Sequence, residues 1–117
     1  MKYVCLGYYD KGKFDALTEA ERNAMYDECY EYDEHLRANG HSISGEALQG
    51  AETALTLYWK NGKVATTDGP YAETKEQLLG FVLIEANDHN EAVEVASRIP
   101  LARLGSIEVR SIMDVAR

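Results

Sequence analysis

The sequence predicts an α+β fold in which two helices pack on one face of a mainly antiparallel sheet. Strand-like apolar patterns occur near both ends of the chain, and each adjoins a segment with the 3.6-residue period of an amphipathic helix. A hairpin signal lies between the two strand–helix segments. Two such units with a hairpin between them form a ferredoxin-like sandwich. No linker or break in composition divides residues 1–117, so we expect a single domain.

The first predicted strand covers residues 2–9. Apolar side chains occupy both of its alternating faces, as in strands that are covered on both sides, so we expect it to lie centrally in its sheet. Residues 10–15 are predicted to be a polar connection. A helix then begins with a capping box formed by Thr18 and Glu21, and Gly40 ends it in the left-handed conformation. The apolar stripe of this helix consists of Met25, Cys29, Tyr32 and Leu36.

Three shorter strands are predicted in the middle of the chain. Residues 41–48 alternate weakly, whereas residues 54–60 alternate clearly between apolar and polar side chains. Asn61-Gly62 is the strongest two-residue hairpin signal, so residues 64–67 are expected to return antiparallel to the preceding strand.

The last three predicted elements form a strand–helix–strand unit. Residues 79–86 are apolar on both faces, which predicts a second interior strand. Asp88 and Glu91 form a capping pattern at the start of a helix, and Pro100 ends that helix. Residues 106–113 alternate as the closing strand.

The apolar pattern of the central strands also predicts an assembly. Both of their faces are apolar, which implies that the sheet face away from the helices is covered as well. The sequence has no third helix pattern to cover it, so a second copy of the chain is the expected cover. We therefore expect a homodimer.

Composition argues against several kinds of partner. Twelve basic and twenty acidic side chains give a formal charge of −8, which repels nucleic-acid backbones and anionic membrane surfaces. The apolar N-terminal stretch is too short for a signal peptide or a membrane span. Cys5 and Cys29 lack the spacing of metal ligands, and reduced thiols are expected. These observations predict a cytoplasmic protein without cofactors, nucleic-acid contacts or membrane contacts.

Residues 68–77 are the predicted functional loop. Gly69 and Pro70 favour a turn, and Asp68 and Glu73 could act as acid or base in a pocket that excludes water. Asp68 is the candidate catalytic residue. Asp-Gly-Pro is also a common turn sequence, which leaves a purely structural role for Asp68 open.

The second half of this loop has the pattern of an anion site. Thr74 and Gln77 match a third capping box, which predicts a short helical turn with free backbone amides. Those amides, together with Lys75, could bind a carboxylate or another small anion. The predicted ligand-binding residues of the loop are Gly69, Pro70, Tyr71, Glu73, Thr74 and Lys75.

Histidines add one candidate residue. His41 begins a predicted strand on the same side as Ile43 and could face the cleft, so it joins the ligand-binding residues. No two histidines have the spacing of metal ligands, so no metal site is predicted.

The loop also carries a family resemblance. Asp68-Gly69-Pro70-Tyr71-Ala72-Glu73-Thr74-Lys75-Glu76-Gln77 resembles the signature of the DGPF group within the YCII-related proteins, which usually has Phe in place of Tyr71. Gly45-Glu46-Ala47-Leu48 and Gly105-Ser106-Ile107-Glu108-Val109-Arg110 are similar to further landmarks of that family. The resemblance spans essentially the whole chain. It implies a ferredoxin-like fold that pairs into a dimeric α/β barrel.

The resemblance implies less about function, and the chain departs from the family at one point. Shorter YCII proteins have been suggested to be enzymes that use a His–Asp pair, with the histidine in the first helix. Residues 25–28 occupy that region here and contain no histidine. This departure argues against a His–Asp enzyme.

Two functions of different classes remain consistent with the sequence. One is a small-molecule-binding or accessory module, with its cleft at residues 68–77. DGPF-type proteins often occur beside extracytoplasmic-function-type sigma factors, which favours a regulatory context for this module. The alternative is an enzyme of the lyase or isomerase type that moves protons on a small organic substrate. The missing histidine favours the binding module.

Overall fold

The computed structural model describes residues 1–115, which form strands and helices in the predicted alternation. Two 3₁₀ turns, Ala51–Thr53 and Pro100–Leu104, lie between them. The strands and helices in chain order are β1 (Lys2–Asp10), α1 (Lys11–Asp15), α2 (Glu19–Ala38), β2 (Ser42–Ala47), β3 (Leu55–Lys60), β4 (Lys63–Asp68), β5 (Glu76–Glu85), α3 (His89–Ser97) and β6 (Gly105–Ser111).

The main sheet has four strands in the order β2-β5-β1-β6, and all neighbours in it are antiparallel. Strands β1 and β5 are therefore interior, as their two-sided apolar patterns predict. Strands β3 and β4, which lie between β2 and β5 in the chain, form a separate two-stranded hairpin. The α+β class and the ferredoxin-like arrangement are thereby confirmed.

Local signals in the sequence begin and end the elements as predicted. At the start of α2, the Thr18 hydroxyl accepts from the Glu21 amide at 3.1 Å, and the Glu21 carboxylate accepts from the Thr18 amide at 2.9 Å. Asp88 accepts from the Glu91 amide at 2.8 Å at the start of α3. Gly40, after the end of α2, has a φ of 74°.

The predicted polar connection at residues 10–15 is wrong, because most of it forms α1. The Asp10 carboxylate accepts from the Gly12 amide at 2.9 Å, which caps the helix. Lys11 and Asp15 form an i,i+4 ion pair at 2.9 Å on its surface. These two local interactions suffice for a single helical turn that has no buried residue.

The core lies between the main sheet, α3 and the C-terminal end of α2. On the sheet, Tyr3 and Cys5 of β1 and Ile84 of β5 face it. The Tyr32 hydroxyl of α2 donates to the Val95 carbonyl of α3 at 2.6 Å, which joins the two helices. The helices contribute Leu36, Ala92, Val95 and Ala96.

The opposite face of the main sheet, here called the outer face, is also apolar. The register of β1 and β5 places its side chains in three cross-strand pairs. All six are only half-buried within one chain. The members of the outer face are Val4, Leu6, Tyr8, Leu78, Phe81 and Leu83.

The α2 capping box should stabilise the protein measurably. Thr18→Ala removes the hydroxyl that accepts from Glu21, so we expect the free energy of unfolding to fall by about 1 kcal/mol. Urea denaturation of both proteins measures this difference. Thr18→Ser keeps the acceptor oxygen and is the control, so equal losses in the two variants would show that the hydroxyl bond contributes nothing.

Candidate functional site

The loop between β4 and β5 is held against the start of the hairpin. The Gly69 amide donates to the Ala54 carbonyl at 2.7 Å, and the Thr56 hydroxyl donates to the Gly69 carbonyl at 2.9 Å. Gly69 has a φ of 100°, a conformation that glycine adopts without strain. The turn predicted at this position is therefore present, and its backbone is fixed at Gly69.

The helical turn predicted at residues 74–77 is wrong. Glu76 already begins β5, where it pairs with Asp10 of β1. The Thr74 hydroxyl donates to the Glu76 carbonyl at 2.5 Å, and the Gln77 side-chain amide donates to the Thr74 carbonyl at 2.9 Å. Threonine and glutamine thus bond to carbonyl groups instead of capping amides, and the loop has no helix N-terminus to bind an anion.

A cleft of about 580 Å³, here called the loop cleft, lies between this loop and the outer face of the sheet. Tyr8 and Leu78 of the outer face contribute to it, as do side chains from the segment that precedes β3. Uncharged hydrogen-bonding groups are frequent in its lining, and Glu76 is a lining carboxylate. From the loop, the lining residues are Pro70, Tyr71, Ala72 and Thr74.

Three of the predicted site residues therefore line one cleft, and the others lie outside it. Asp68 ends β4 opposite Leu55 and is exposed, as is Glu73. The Lys75 side chain is 83% exposed and points to Asp10, with Nζ 3.5 Å from Oδ2. Gly69 supports the loop through its backbone without lining the cleft.

His41 lies at the other end of β5 from the loop. Its Nδ1 is 2.9 Å from the Glu85 carbonyl oxygen and 3.8 Å from Oε1 of Glu91. The ten residues of β5 extend over about 30 Å at roughly 3.3 Å per residue. The structure thus does not bring His41 and the loop together.

Asp10 is a residue that the sequence reading missed at this site. Burial by itself would raise the pKa of its carboxyl group, but backbone hydrogen bonds at Gly12 and Lys13, together with the Lys75 ammonium, hold that pKa below the ordinary 3.8. Asp10 is 7% exposed, so its carboxylate is nearly buried. Through its contact with Lys75, it connects the end of β1 to the loop. Its identity was the available signal in the sequence, because aspartate is a preferred residue at the N-cap of a helix.

A second cavity opens on the helix side of the sheet, between α2 and the strands. It measures about 350 Å³, and its lining includes Cys5 and Gly7 of β1 and Met25 of α2. The sequence reading missed it, because the apolar stripe of α2 predicts contact with the sheet along its whole length.

Residues 1–115 contain neither a metal-type cluster nor a membrane-spanning helix. Histidine, cysteine, aspartate and glutamate side chains do not gather in threes in a way that could hold a metal ion in this part of the chain. The described helices include none with the length and apolar character needed to cross a bilayer.

Comparison with known proteins identifies the family. The YCII-related domain matches residues 1–116. The chain belongs to the YCII-related family. An uncharacterized protein from Rhizobium meliloti (strain 1021) is similar to this YCII-related chain, with 32% identity over 114 residues that cover 96% of this chain and 92% of the relative. The family expected from the loop and the flanking segments is confirmed, and membership of the DGPF group stays a prediction.

Asp10 should make stability depend on pH in acid. The folded-state pKa lies below the ordinary value of 3.8, so the carboxylate stabilises the fold above that value. This contribution should disappear as the pH falls below about 4 and through the folded-state pKa. We expect Asp10→Asn, measured by urea denaturation from pH 7 downwards, to lose stability less steeply than the wild type. Parallel pH profiles for the two proteins would contradict this role of Asp10.

Proposed function

We propose that this YCII-related protein is a dimeric small-molecule-binding module and that the loop cleft is its ligand site. The observation that carries the proposal is the lining of that cleft. The loop between β4 and β5 contributes Pro70, Tyr71 and Thr74 to this lining. The outer face of the sheet contributes Tyr8 and Leu78 on the other side of the same cleft. Its volume lies within the range of about 300–1,000 Å³ that is common for small-molecule sites.

The chemistry of the lining favours a compact polar ligand. The side chains of Thr56, Thr74 and Gln77 already donate to backbone carbonyls, so they offer the ligand acceptor oxygens. Tyr8 and Tyr71 offer phenolic hydroxyl groups, and the side chain of Tyr71 is 93% exposed. The small anion expected from the sequence now depends on Lys75 alone, since the helical turn is absent. Lys75 is already near Asp10, so neutral and zwitterionic polar compounds belong in the same screen as anions.

The outer face supports the dimer in this proposal. Six half-buried apolar side chains form a continuous patch, which a second outer face would cover to give a dimeric α/β barrel. The radius of gyration of one chain is 16.2 Å, compared with about 13 Å for a compact chain of this length, so a single copy is more extended than a typical monomeric domain. Tyr8 and Leu78 belong both to the patch and to the loop cleft, so the partner copy would close one side of the ligand site.

Binding is better supported than catalysis. An acid–base enzyme places a carboxylate or histidine against the substrate in a site shielded from water. Asp68 and Glu73 are exposed and lie outside the cleft lining, and His41 is at the far end of β5. Glu76 does line the cleft, but it accepts a hydrogen bond from Ser106 at 2.7 Å. An accessory or regulatory role, in association with an extracytoplasmic-function-type sigma factor, fits the DGPF-like loop and is part of the proposal.

The dimer should depend on the outer face. Size-exclusion chromatography with light scattering should give about twice the chain mass of 13.1 kDa at micromolar concentration. Leu6→Glu places a charge in the centre of the apolar patch and should yield monomers with unchanged circular dichroism. Val93→Glu makes the same change on the exposed surface of α3 and should stay dimeric. A monomeric wild type would exclude both the dimer and a cleft that it completes.

Ligand binding should depend on Tyr71. A thermal-shift screen of small polar metabolites, including carboxylates and amino acids, should give compounds that perturb the backbone amide signals of Tyr71 and Thr74. Because Tyr71 is exposed, Tyr71→Ala should leave stability unchanged while it weakens binding at least tenfold, or about 1.4 kcal/mol. Tyr58→Ala removes another exposed tyrosine, outside the cleft lining, and should bind as the wild type does.

The same titration tests Asp68. Asp68→Asn keeps an acceptor oxygen and should bind with wild-type affinity if the residue only builds the turn. A tenfold loss in Asp68→Asn at unchanged stability would instead assign its charge to the ligand. Hits that all perturb the acidic surface of α2 would refute the loop cleft as the site.

A further inference from the structure

Helix α2 is fully buried near one end only. Leu36, near its C-terminus, is the buried residue among its twenty residues. The earlier members of its apolar stripe, Met25 and Cys29, are half-buried. A helix with an apolar stripe normally buries that stripe against the layer beneath it, so the gap under the first turns of α2 needs a structural cause.

The strands beneath α2 supply that cause. Gly7 of β1 lies opposite Gly80 of β5, and Gly80 lies opposite Ala47 of β2, so three adjacent strands present almost no side chain to the helix. A Cβ atom built on Gly7 would lie 2.8 Å from Cδ2 of Leu101, and one on Gly80 would lie 2.6 Å from the Glu46 carbonyl oxygen. A side chain on Gly80 would therefore clash with the backbone of β2, whereas the space above Gly7 is occupied by the end of the Leu101 side chain. The row of small residues is the floor of the cavity of about 350 Å³ described above, here called the helix-side cavity.

The walls of the helix-side cavity are apolar and partly aromatic. Phe14 of α1 packs edge-on against Tyr9, with ring centroids 5.7 Å apart, and lies 6.4 Å from the ring of Tyr26. The opposite wall comes from the turn before β6. Its lining residues there are Pro100, Leu101 and Leu104. Rings and branched aliphatic groups therefore line an open space above the glycine floor.

The lining of the cavity includes no basic side chain, and its two acidic residues are Asp33 and the exposed Glu46. Burial raises the pKa of the Cys5 thiol to about 11, and burial, aided by the charge of Glu28, raises the pKa of the Cys29 thiol. Both thiols are therefore protonated at neutral pH and behave as small apolar groups. The carboxylate of Asp33 at the edge is paired with Arg37 at 2.8 Å. An anionic ligand would meet no unpaired cation among the lining residues of this cavity.

We propose that the helix-side cavity binds a neutral, mainly apolar small molecule that carries an aromatic or alicyclic ring. The volume is sufficient for such a molecule, and the lining offers few polar partners to a cluster of water. The aromatic side chains of Phe14 and Tyr26 provide ring contacts, and the thioether of Met25 adapts to the outline of the ligand. The glycine floor admits a flat group between α2 and the sheet.

This site is separate from the loop cleft. Cys5 and Gly7 line the helix-side cavity, whereas Tyr8 lines the loop cleft, and successive residues of a strand point to opposite sheet faces. The two sites therefore lie on opposite faces of β1. Binding in the helix-side cavity requires neither the dimer nor the loop between β4 and β5.

A matched pair of fluorescent probes tests the proposal. N-phenyl-1-naphthylamine is neutral, and 8-anilino-1-naphthalenesulfonate has the same ring skeleton with a sulfonate added. We expect the neutral probe to bind the full-length protein with one site per chain and at least tenfold more tightly than the sulfonate. Leu6→Glu and Tyr71→Ala, which alter the outer face and the loop, should bind the neutral probe as the wild type does. Equal affinity for the two probes would overturn the proposal.

Methionine NMR places the probe in the wild-type protein. The chain has three methionines, and [¹³C-methyl]methionine labelling gives one signal for each. Met25 lines the cavity, whereas Met1 and Met113 are exposed and lie outside it. Ring-current shifts on addition of N-phenyl-1-naphthylamine should move the Met25 signal alone. An unmoved Met25 signal at saturating probe would overturn the proposal.

A cavity-filling variant provides the complementary test. Cys29→Phe puts an aromatic ring in the space that the probe would occupy, so affinity for the neutral probe should fall at least tenfold. Cys29→Ser keeps the volume and is the matched control, with expected affinity close to that of the wild type. If Cys29→Phe does not fold, the methionine shifts of the wild type still show whether the probe occupies the helix-side cavity. Wild-type affinity in a folded Cys29→Phe would refute the assignment of the cavity.

Discussion

Pairing of β1 on both of its edges is the constraint on which the rest of the structure depends. It bonds to β5 along its whole length and to β6 along most of it, so its position is fixed from both sides. Because side chains alternate along a strand, this fixed strand divides the molecule into two faces. Tyr3 and Cys5 enter the helix-side core, and Val4 and Leu6 form the outer face.

Both candidate sites are built at the C-terminal end of this strand. Gly7 lines the helix-side cavity beside the Leu101 side chain, and Tyr8 lines the loop cleft on the outer side. Asp10 then ends the strand, caps α1 and meets Lys75 of the β4–β5 loop. One short stretch of backbone thus positions the aromatic wall at Phe14 and the loop that contains Tyr71. Changes in the pairing of β1 with β5 would move both sites together.

Local signals explain why much of the fold could be predicted. The capping box at Thr18, the turn at Asn61-Gly62 and the turn at Gly69 each depend on residues adjacent in sequence, and all are present. The capping-box pattern at Thr74 failed for the opposite reason. The backbone of Glu76 and Gln77 pairs with β1, which is a long-range interaction, and the Thr74 and Gln77 side chains bond to carbonyl groups instead. The glycine floor was equally hidden, because Gly7 and Gly80 face each other only once the register is known.

The helix-side cavity and the outer face both affect the stability of the folded chain. The buried apolar residues are few, and most of them form the core beside α3. The first turns of α2 lie above a cavity, and the outer face stays half-exposed. The hairpin adds to this, since Trp59 on its apolar side is 74% exposed, and an isolated two-stranded hairpin is marginally stable in water. Apolar surface that the chain does not bury by itself is available to a second chain or to a ligand. Either one would stabilise the folded state by mass action, so the stability of this protein is expected to depend on its concentration and on what it binds.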